Sequence, residues 1–388
     1  MLDAVEQNSN QAIDVRPVSA PAELKTFIRV PNEIYADDPN YVAPLEFEIA
    51  ARLDAEKNPV LKGNPRQLWI AYKNGQPAGR ISAFVNKAHL DRHQDGGGHF
   101  GFFESIDDPA VASALINTAA AWLKQQGMTK MLGPFNNSVN EETGLLVDGF
   151  DTPPYVMMPH GRRYYASMFE AEGFVKAIDM YALRYIPHED FIPEKRKRFI
   201  EKALSSPKVK FRNINMSDFQ GDIRRLVDIF NDAWFDNWGF VPLTDEQVAH
   251  MAKELRPIIS PHNIAFCDYD GEPAAFSLVL PDVNYAIRDF GGKLAPFNWA
   301  KLLWRMKVQK LPRARMPLMG VRRKLHKRPI GLALAYKMIE LTQAENVARG
   351  VVDSELSWIL ESNESMLSML HDLGGKIYKT YRIYERPL

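Results

Sequence analysis

The sequence has a single cysteine, Cys267, and its formal net charge at pH 7 is +0 over 388 residues. One cysteine cannot form an internal disulfide, and this scarcity favours a reducing compartment. The balanced charge gives no support for a general attraction to nucleic acid. Uninterrupted apolar runs stay shorter than the roughly 18 residues of a transmembrane helix. The first residues also lack the pattern of a secretory signal. These absences predict a cytoplasmic protein that neither spans a membrane nor binds nucleic acid.

Neither a metal site nor a cysteine nucleophile is indicated. The His, Cys and Asp residues show none of the ligand spacings typical of metal sites. Cys267 lies in the apolar stretch 264–267, where packing in a core is its expected role. Hydrophobic residues make up 46% of the chain, which is ample for packed cores, and the length suggests two or three domains.

The two halves of the chain resemble each other at an offset close to half its length. Each has a turn between apolar strands, at Asn74-Gly75 and Asp270-Gly271, and such turns are a strong hairpin signal. Each half also ends in a stretch predicted to form a pair of strands, over 175–185 and 376–385. The repeated order of helix, hairpin, strand, helix, strand, helix and strand pair predicts one α/β fold used twice, with a mixed sheet.

A six-residue motif, R-x-x-G-x-A over 328–333, stands between a predicted strand at 316–321 and a predicted helix at 330–348. A helix N-terminus offers unpaired N–H groups and the positive end of the helix dipole, so it can hold a pyrophosphate. Small residues leave room for this ligand, and nearby basic residues add charge. An ordinary helix start after a turn is the alternative. The residues predicted to surround the pyrophosphate are Val321, Arg322, Arg323, Arg328, Gly331, Leu332 and Ala333.

This strand–loop–helix unit resembles the acyl-CoA pyrophosphate loop of the GNAT acyltransferase superfamily. The segments that follow also fit, with a strand at 351–359, Asn363 at the start of a short helix, and a Gly374-Gly375 turn. The resemblance implies acyl-CoA as co-substrate, without a metal, and adds Asn363 to the expected cofactor site. Longer stretches, such as Asn-Trp-Gly-Phe at 237–240 and Glu-Leu-Ser-Trp at 355–358, are similar to a bacterial tandem-GNAT family that includes ceramide synthase-like proteins.

The predicted domains follow from this resemblance. They are a disordered N-terminus over 1–13, an N-terminal GNAT-like domain over 14–186, a linker with a short basic helix over 187–208, and a C-terminal GNAT domain with the acyl-CoA site over 209–388. In the first domain, Asp107, Asp108 and Pro109 stand where a phosphate loop would be. These residues suit a helix N-cap with proline in the first turn, but the carboxylates would repel a pyrophosphate. The first domain is therefore expected to lack the cofactor site.

A carboxylate for acid–base chemistry is expected on the strand after the long helix. Strand alternation places Asp353, Glu355 and Ser357 on one face, and three polar groups there are costly unless they are used. Acyl transfer to an amine needs a proton acceptor, and GNAT enzymes often carry this base on or beside that strand. The resemblance therefore selects Glu355 as general base, directly or through a water. A structural hydrogen bond or ion pair is the alternative.

One departure from the GNAT pattern concerns the acid that protonates the thiolate. Many members of the superfamily place a tyrosine seven residues after the helix-opening asparagine, and this sequence has Leu370 there. Tyr336, Tyr378 and Tyr381 remain as candidates, and nothing in the sequence selects among them.

The acceptor pocket is expected at the junction of the two domains, where the family resemblance is concentrated. Its candidate residues are Asn140, Glu142, Trp234, Asn237 and Trp238. For each residue taken singly, a turn-forming asparagine or a core tryptophan is the alternative. His160 lies in a polar loop, where a solvated histidine is expected rather than a catalytic one.

An insert over 284–312 contains a helix that is apolar on two sides. One stripe is formed by Phe297, Ala300, Trp304 and Val308. The other side has Trp299, Leu302, Leu303 and Met306, with basic residues between. These features suit a bilayer interface or an acyl chain, so peripheral contact with the inner face of the membrane through 290–312 is one expectation. Burial by the first domain or a partner subunit is the alternative.

The favoured hypothesis is an N-acyltransferase that moves an acyl group from acyl-CoA to a primary amine. In the specific version implied by the resemblance, a fatty acyl group goes to a sphingoid long-chain base or a similar lipid amine. One alternative is a short-chain N-acetyltransferase that acts on a small amine or an amino acid. The other is a non-catalytic CoA-binding sensor or scaffold, which the missing tyrosine and the degenerate first domain favour.

Overall fold

The structure is a computed structural model, and it describes residues 13–187 and 192–388. Its strands all lie in one mixed sheet. They are β1 Ile13–Pro17, β2 Arg66–Lys73, β3 Gln76–Phe84, β4 Gly97–Ser105, β5 Lys130–Gly133, β6 Leu145–Asp148, β7 Val175–Tyr185, β8 Val209–Asn213, β9 Ile264–Tyr269, β10 Glu272–Pro281, β11 Arg313–Val321, β12 Asp353–Leu360 and β13 Lys376–Pro387. Helices pack on this sheet and bury apolar faces against it, as expected of an α/β fold.

The helices are distributed among the strands along the chain. They are α1 Pro21–Ile34, α2 Glu46–Arg52, α3 Lys87–His93, α4 Pro109–Gln125, α5 Tyr165–Ala171, α6 Glu194–Ala203, α7 Phe219–Ala233, α8 Asp245–Leu255, α9 Val283–Ile287, α10 Asn298–Lys307, α11 Arg323–His326, α12 Pro329–Ala348 and α13 Glu364–Asp372. Of the N-terminal residues 1–13, all but Ile13 lie outside the described residues. The short basic helix predicted between the halves is α6, and residues 188–191 of that predicted linker are not described.

Local sequence rules account for several boundaries. Both predicted hairpins are present, and each turn pair has two positive φ angles, 53° and 78° at Asn74 and Gly75, and 56° and 83° at Asp270 and Gly271. Glycine and asparagine or aspartate adopt this conformation at low cost. Helix α4 begins as predicted, because Asp108 accepts a hydrogen bond from the Ala110 amide at 2.9 Å. Cys267 is fully buried in β9.

The strand order joins the two halves. The order is β1-β2-β3-β4-β5-β13-β7-β12-β11-β10-β9-β8, with β6 on β13. The prediction of a strand pair at the end of each half is wrong. Each stretch forms one long strand, and β7 and β13 pair with each other antiparallel, for example Ile178 with Ile383. The last strand of the first half therefore lies beside β12, and the last strand of the second half lies beside β5.

The junction between the halves is an apolar core. Buried residues from both halves meet there, including Leu132, Met180 and Tyr381, with Trp238 and Trp358 packed against them. Because the sheet continues through this core, side chains from the first half come close to the strands of the second. The domain division itself stays a prediction.

Candidate active site

The centre of the second half is a fork between two parallel strands. Strands β11 and β12 pair only from Arg313 with Asp353 to Met316 with Leu356. Beyond this point each strand keeps only its other neighbour, which is β10 for β11 and β7 for β12. The gap between them leaves peptide groups without a partner from the other strand, so an extended ligand with amide groups can enter there.

Glu355 lies at the base of this fork and is fully buried. Its Oε1 accepts a hydrogen bond from the Ser357 hydroxyl at 2.6 Å and lies 3.3 Å from Arg315 Nε. Its Oε2 accepts a hydrogen bond from the Tyr378 hydroxyl. The predicted shared face of Glu355 and Ser357 is thus present, and a buried carboxylate of this kind needs these partners to offset its lost hydration.

The partner of Glu355 is an arginine that is itself buried. Arg315 is 1% exposed, and its guanidinium also donates to the Val156 carbonyl at 2.9 Å. Two positions earlier, Arg313 lies 3.8 Å from the centre of the Tyr155 ring and 3.1 Å from a carboxylate oxygen of Asp282. The loop that follows β6 in the first half therefore closes over β11, and it is held there by buried charge.

Unpaired donors surround the same point. Among the residues that the structure describes, the Tyr381 hydroxyl and the Trp358 indole N–H are buried without a hydrogen-bond partner. The Trp358 ring lies 4.9 Å from the Arg315 guanidinium. Buried polar groups are nearly always satisfied, so these two donors indicate space for a ligand acceptor group beside Glu355.

A buried lysine adds a further charge to this cluster. Lys379 on β13 is fully buried, and its ammonium donates to the Thr152 carbonyl at 2.7 Å. Burial lowers its pKa to about 8, and the nearby Glu355 carboxylate opposes that shift. Burial, followed by the charge of Glu355, raises the pKa of Tyr378, so this phenol stays protonated at neutral pH.

The prediction of a solvated His160 is wrong. The side chain is 4% exposed, and Nε2 lies 2.9 Å from Asp38 Oδ2. The loop that carries it is polar in sequence, but the stacked Tyr35 and Tyr41 rings cover the imidazole. Polar loop composition predicts exposure only when no other segment packs over the loop, and here the segment after α1 does so.

The predicted pyrophosphate loop has a helix start with free positive charge. Arg328 is the N-cap of α12 and is exposed, as are Lys324 and Lys327. Within 13–187 and 192–388, no carboxylate forms an ion pair with these three side chains. Arg322 and Arg323 differ, because they pair with acidic residues of the α7 region. Those partners are Asp228, Asp232 and Asp236.

Gly331 has a packing reason to be glycine. A Cβ there would lie 2.0 Å from the Leu325 carbonyl oxygen, so no side chain fits between α11 and α12. Its amide donates to the Arg328 carbonyl at 3.0 Å within the first turn. Ala333 and Val321 are buried, whereas Leu332 is exposed. The loop is therefore compact, with its basic side chains outside, and this fits a diphosphate at the helix start.

Asn363, the other predicted cofactor residue, caps a helix. Its side chain accepts a hydrogen bond from the Met366 amide at 3.2 Å at the start of α13. Leu370, which occupies the position of the missing tyrosine, is buried in the core between α12 and the sheet.

The predicted acceptor residues do not form one cluster, and only Asn140, Asn237 and Trp238 lie between the halves. Asn140 donates to the Val241 carbonyl at 3.1 Å and so links the halves, and Trp234 donates to the Met319 carbonyl of β11 at 3.0 Å. Glu142 pairs with Arg52 at 2.7 Å inside the first half. Asn237 and Trp238 line a cavity of about 620 Å³.

This cavity lies between α3 and β5 of the first half and the loop after α7. Its lining is strongly charged, with Arg92, Asp95, Lys130, Asp236 and Glu385. The junction thus offers space of the size expected for a small-molecule site.

Sequence reasoning missed Arg315, Lys379 and the Asp38–His160 pair. Arg315 had a detectable signal, since a buried strand glutamate needs a cation on a neighbouring strand. For Asp38 and His160, which are 122 positions apart in the chain, no local pattern joins the two residues.

Comparison with known proteins shows the family of the chain. The chain is 41% identical to the bacterial ceramide synthase of Caulobacter vibrioides over 388 residues, which is 98% of this chain and 99% of that protein. It is 42% identical to protein YghO of Escherichia coli over 366 residues, 94% of this chain and 93% of that protein. The chain belongs to the family of these two proteins. No family model matches the sequence.

Solved structures show the fold of this family member. A tandem GNAT protein from the clavulanic acid biosynthesis pathway superposes with a TM-score of 0.58 at 10% identity, over 97% of this chain and 98% of the other. A GCN5-related N-acetyltransferase from Sphaerobacter thermophilus gives 0.53 at 13% identity, over 97% and 95%. The predicted tandem GNAT fold is confirmed, and family and fold together identify an acyltransferase. No helix in the described part of the chain is long and apolar enough to cross a membrane.

Proposed function

We propose that the protein transfers a fatty acyl group from acyl-CoA to the primary amine of a long-chain base or a similar lipid amine. The observation that carries the proposal is the fork between β11 and β12, with the buried Glu355–Tyr378 pair at its base and the start of α12 just beyond its open end. We expect an extended pantetheine to bind in the gap and its diphosphate to bind beside Arg328. The ceramide synthase name of a full-length relative supports the lipid acceptor.

The proton transfers that acyl transfer requires suggest roles for the residues at the base of the fork. An acceptor nitrogen that forms an amide must lose a proton, and the leaving sulfur must gain one. We assign the first role to Glu355 and the second to Tyr378. Because Tyr378 donates to Glu355, the proton that Glu355 receives can replace the one that Tyr378 gives away. The Tyr381 and Trp358 donors are available for a carbonyl oxygen that gains negative charge.

The first test concerns the acyl donor and acceptor. With a sphingoid base as acceptor, we expect N-acylation to be at least tenfold faster with a long-chain acyl-CoA than with acetyl-CoA. Product is measured by mass spectrometry and free CoA by thiol titration. A preference for acetyl-CoA and small amines would favour the short-chain N-acetyltransferase. CoA binding without turnover over a broad amine panel would favour a sensor or scaffold.

The second test concerns the diphosphate site and compares changes at the two ends of α12. Arg328→Glu should raise the KM for acyl-CoA about tenfold, since a charged hydrogen bond to the diphosphate contributes about 1.5–3 kcal/mol. Arg349→Glu changes another exposed arginine, which donates to the Ser260 hydroxyl at the C-terminal end of α12, where the structure gives no reason for a diphosphate to bind. Equal effects of the two changes would argue against the predicted pyrophosphate site.

Membrane contact through 290–312 is the second part of the proposal. Five large apolar side chains of α10 and its flanks are more than half exposed, and none of the helix residues is buried. They are Phe297, Trp299, Leu303, Trp304 and Val308. Of the α10 residues, only Leu302 packs against a core cluster, which it shares with α9 and the segment after α1. A wide apolar face with two tryptophans is the chemistry of an interfacial helix.

The charges around this helix sort into two groups. Lys301 and Arg305 both pair with Asp289, and they hold α10 on the segment before it. Lys307 and Lys310 are exposed, and the described residues provide no carboxylate for them. This second pair is therefore free to contact anionic lipid headgroups.

We expect the purified protein to co-sediment with anionic liposomes, and Lys307→Glu with Lys310→Glu to weaken that binding about tenfold or more. Each basic residue near an anionic surface contributes about 1 kcal/mol, and reversal adds repulsion. Replacement of Trp299, Leu303 and Trp304 by serine should weaken binding to neutral liposomes as well. A Lys25→Glu and Lys124→Glu protein controls for net charge. Unchanged sedimentation of the α10 variants would contradict the membrane proposal.

A further inference from the structure

The Asp38–His160 pair is the feature of the junction that the proposed roles of Glu355 and Tyr378 leave unused. Because a carboxylate can only accept, the Nε2 atom that faces Asp38 carries the proton, and Nδ1 keeps its lone pair. Nδ1 is buried, and within the described part of the chain it has no hydrogen-bond partner. An imidazole oriented by a carboxylate, with its other nitrogen unpaired, has the arrangement of a proton acceptor.

The loop of His160 also contacts the base of the fork. The Met158 sulfur lies 3.5 Å from the Ser357 hydroxyl, and the Val156 carbonyl accepts from Arg315. The Lys379 ammonium lies near both His160 and Glu355. Its charge lowers the pKa of His160, and the Glu355 carboxylate in turn raises the pKa of Lys379. The histidine and the glutamate thus border the same buried region from opposite halves of the chain.

The proton count of the reaction requires more than one acceptor. A primary amine enters as an ammonium at neutral pH and loses two protons from nitrogen before the amide is complete. One of them ends on the leaving sulfur, and the other must leave the site. Glu355 and Tyr378 account for the transfer to sulfur, so the first proton, which frees the nitrogen lone pair, needs a separate acceptor.

We propose that His160, oriented by Asp38, removes this first proton from the ammonium group of the acceptor; the proposal rests on the proposed function. The N–H bond breaks, its electron pair stays on nitrogen, and the proton moves to Nδ1. The imidazolium then donates from both nitrogens, with Nε2–H still on Asp38. The neutral amine forms the bond to the acyl carbon as the bond to sulfur breaks, and the imidazolium returns its proton to solvent after the product leaves.

The surroundings of His160 keep it ready to accept a proton. Burial lowers its pKa, and although Asp38 opposes this, Lys379 and Arg162 act in the same direction as burial. The imidazole is therefore neutral at neutral pH and charged only in acid. The groups that face it are Asp38 and the Tyr35 and Tyr41 rings from the segment after α1, Arg162 of its own loop, and Lys379 of β13.

The test compares two acceptors of equal chain length. One is a long-chain primary amine, which is an ammonium at pH 7, and the other is an O-alkyl hydroxylamine, whose nitrogen is unprotonated there. His160→Gln should lower kcat/KM about 100-fold with the amine, and by no more than about threefold with the hydroxylamine. The loss with the amine should shrink about tenfold per pH unit above 7, as the free amine fraction grows.

A second variant and a control make the test decisive. Asp38→Asn keeps the side-chain size and should show the same dependence on the acceptor, with a loss of about tenfold. His262→Gln, at an exposed histidine paired with Glu345, should leave both rates unchanged. An equal loss with both acceptors, or no loss with the amine, overturns the assignment of His160. If His160→Gln no longer binds CoA in calorimetry, the acceptor dependence of Asp38→Asn decides.

Failure of this inference can be distinguished from failure of the proposed function. If the wild-type protein binds CoA but acylates neither acceptor, the proposed function fails. If the wild-type protein acylates both and the two variants lose activity equally on both, the function stands and only the role of His160 is rejected.

Discussion

Replacement of Glu355 by glutamine should reduce turnover by about a thousandfold or more while acyl-CoA still binds. Glu355 is the only carboxylate that meets the Tyr378 hydroxyl at the base of the fork among the described residues. Glutamine has the same shape, but only its one amide oxygen can accept, so it keeps the hydrogen bond from either Ser357 or Tyr378, and it cannot take a proton from the acceptor nitrogen. Loss of a general base costs about 100- to 10,000-fold in rate. The measurement is steady-state turnover, with CoA binding followed by calorimetry.

The same change should lower stability, which makes the binding measurement essential. Arg315 is 1% exposed and would lose its charged partner, and an uncompensated buried charge costs about 3–5 kcal/mol. Asp353→Asn is the matched control. It removes a carboxylate two positions earlier on the same face, but this one pairs with Arg184 at the surface, and such pairs contribute little. Near-normal turnover of Glu355→Gln, or an equal loss in the control, would reject Glu355 as the base.

The elements that the sequence predicted correctly follow local rules. The two hairpins need positive φ at adjacent positions, and only a few residue types tolerate it, so Asn74-Gly75 and Asp270-Gly271 were readable. Helix α12 begins one residue before its predicted start, because Pro329 suits the first helical turn. The internal repeat of such signals indicated one fold used twice, and the structural comparisons confirm a tandem GNAT fold.

The site is less visible in the sequence because its contacts are between distant segments. The predicted strand began at 316, whereas β11 begins at Arg313, since arginine inside a strand reads as an edge or a loop. Within β11, Arg315 can be buried because its charge is compensated by Glu355, which lies 40 positions later in the chain. His160 is similar, because its polar loop becomes buried only when the segment around Asp38 packs over it.

The exchange of end strands could not be read from the sequence at all. The apolar alternation of β7 and β13 fits pairing within either half equally well, because a strand pattern states which face is buried and not which neighbour it has. In the structure β7 lies between β13 and β12, and β13 lies between β5 and β7. The choice depends on the packing of the whole junction core.

This exchange predicts that neither half is stable alone. Expressed separately, fragments 1–189 and 190–388 should aggregate or stay unfolded, whereas co-expressed fragments should copurify as a one-to-one complex with acyltransferase activity. Without the first half, β12 loses its ladder with β7, and β13 loses its partners on both sides. Unpaired strand edges with apolar faces are prone to aggregation. Gel filtration, copurification through a tag on one fragment, and turnover measure the outcome.

The chain break lies in the region between the halves, outside the described residues, so the cut itself removes none of the sheet pairs. A break inside α8, at an exposed helix position within the second half, is the matched control, because it leaves the exchanged strands on their own fragments but interrupts a core helix. A monodisperse 190–388 fragment with a cooperative thermal transition would contradict the prediction.

Such a fragment would have to bring β13 next to β12 in place of β7. The Lys379 ammonium would then lose the Thr152 carbonyl, and the base of the fork would lose the loop at 152–160. Activity therefore requires both halves even if one of them can fold.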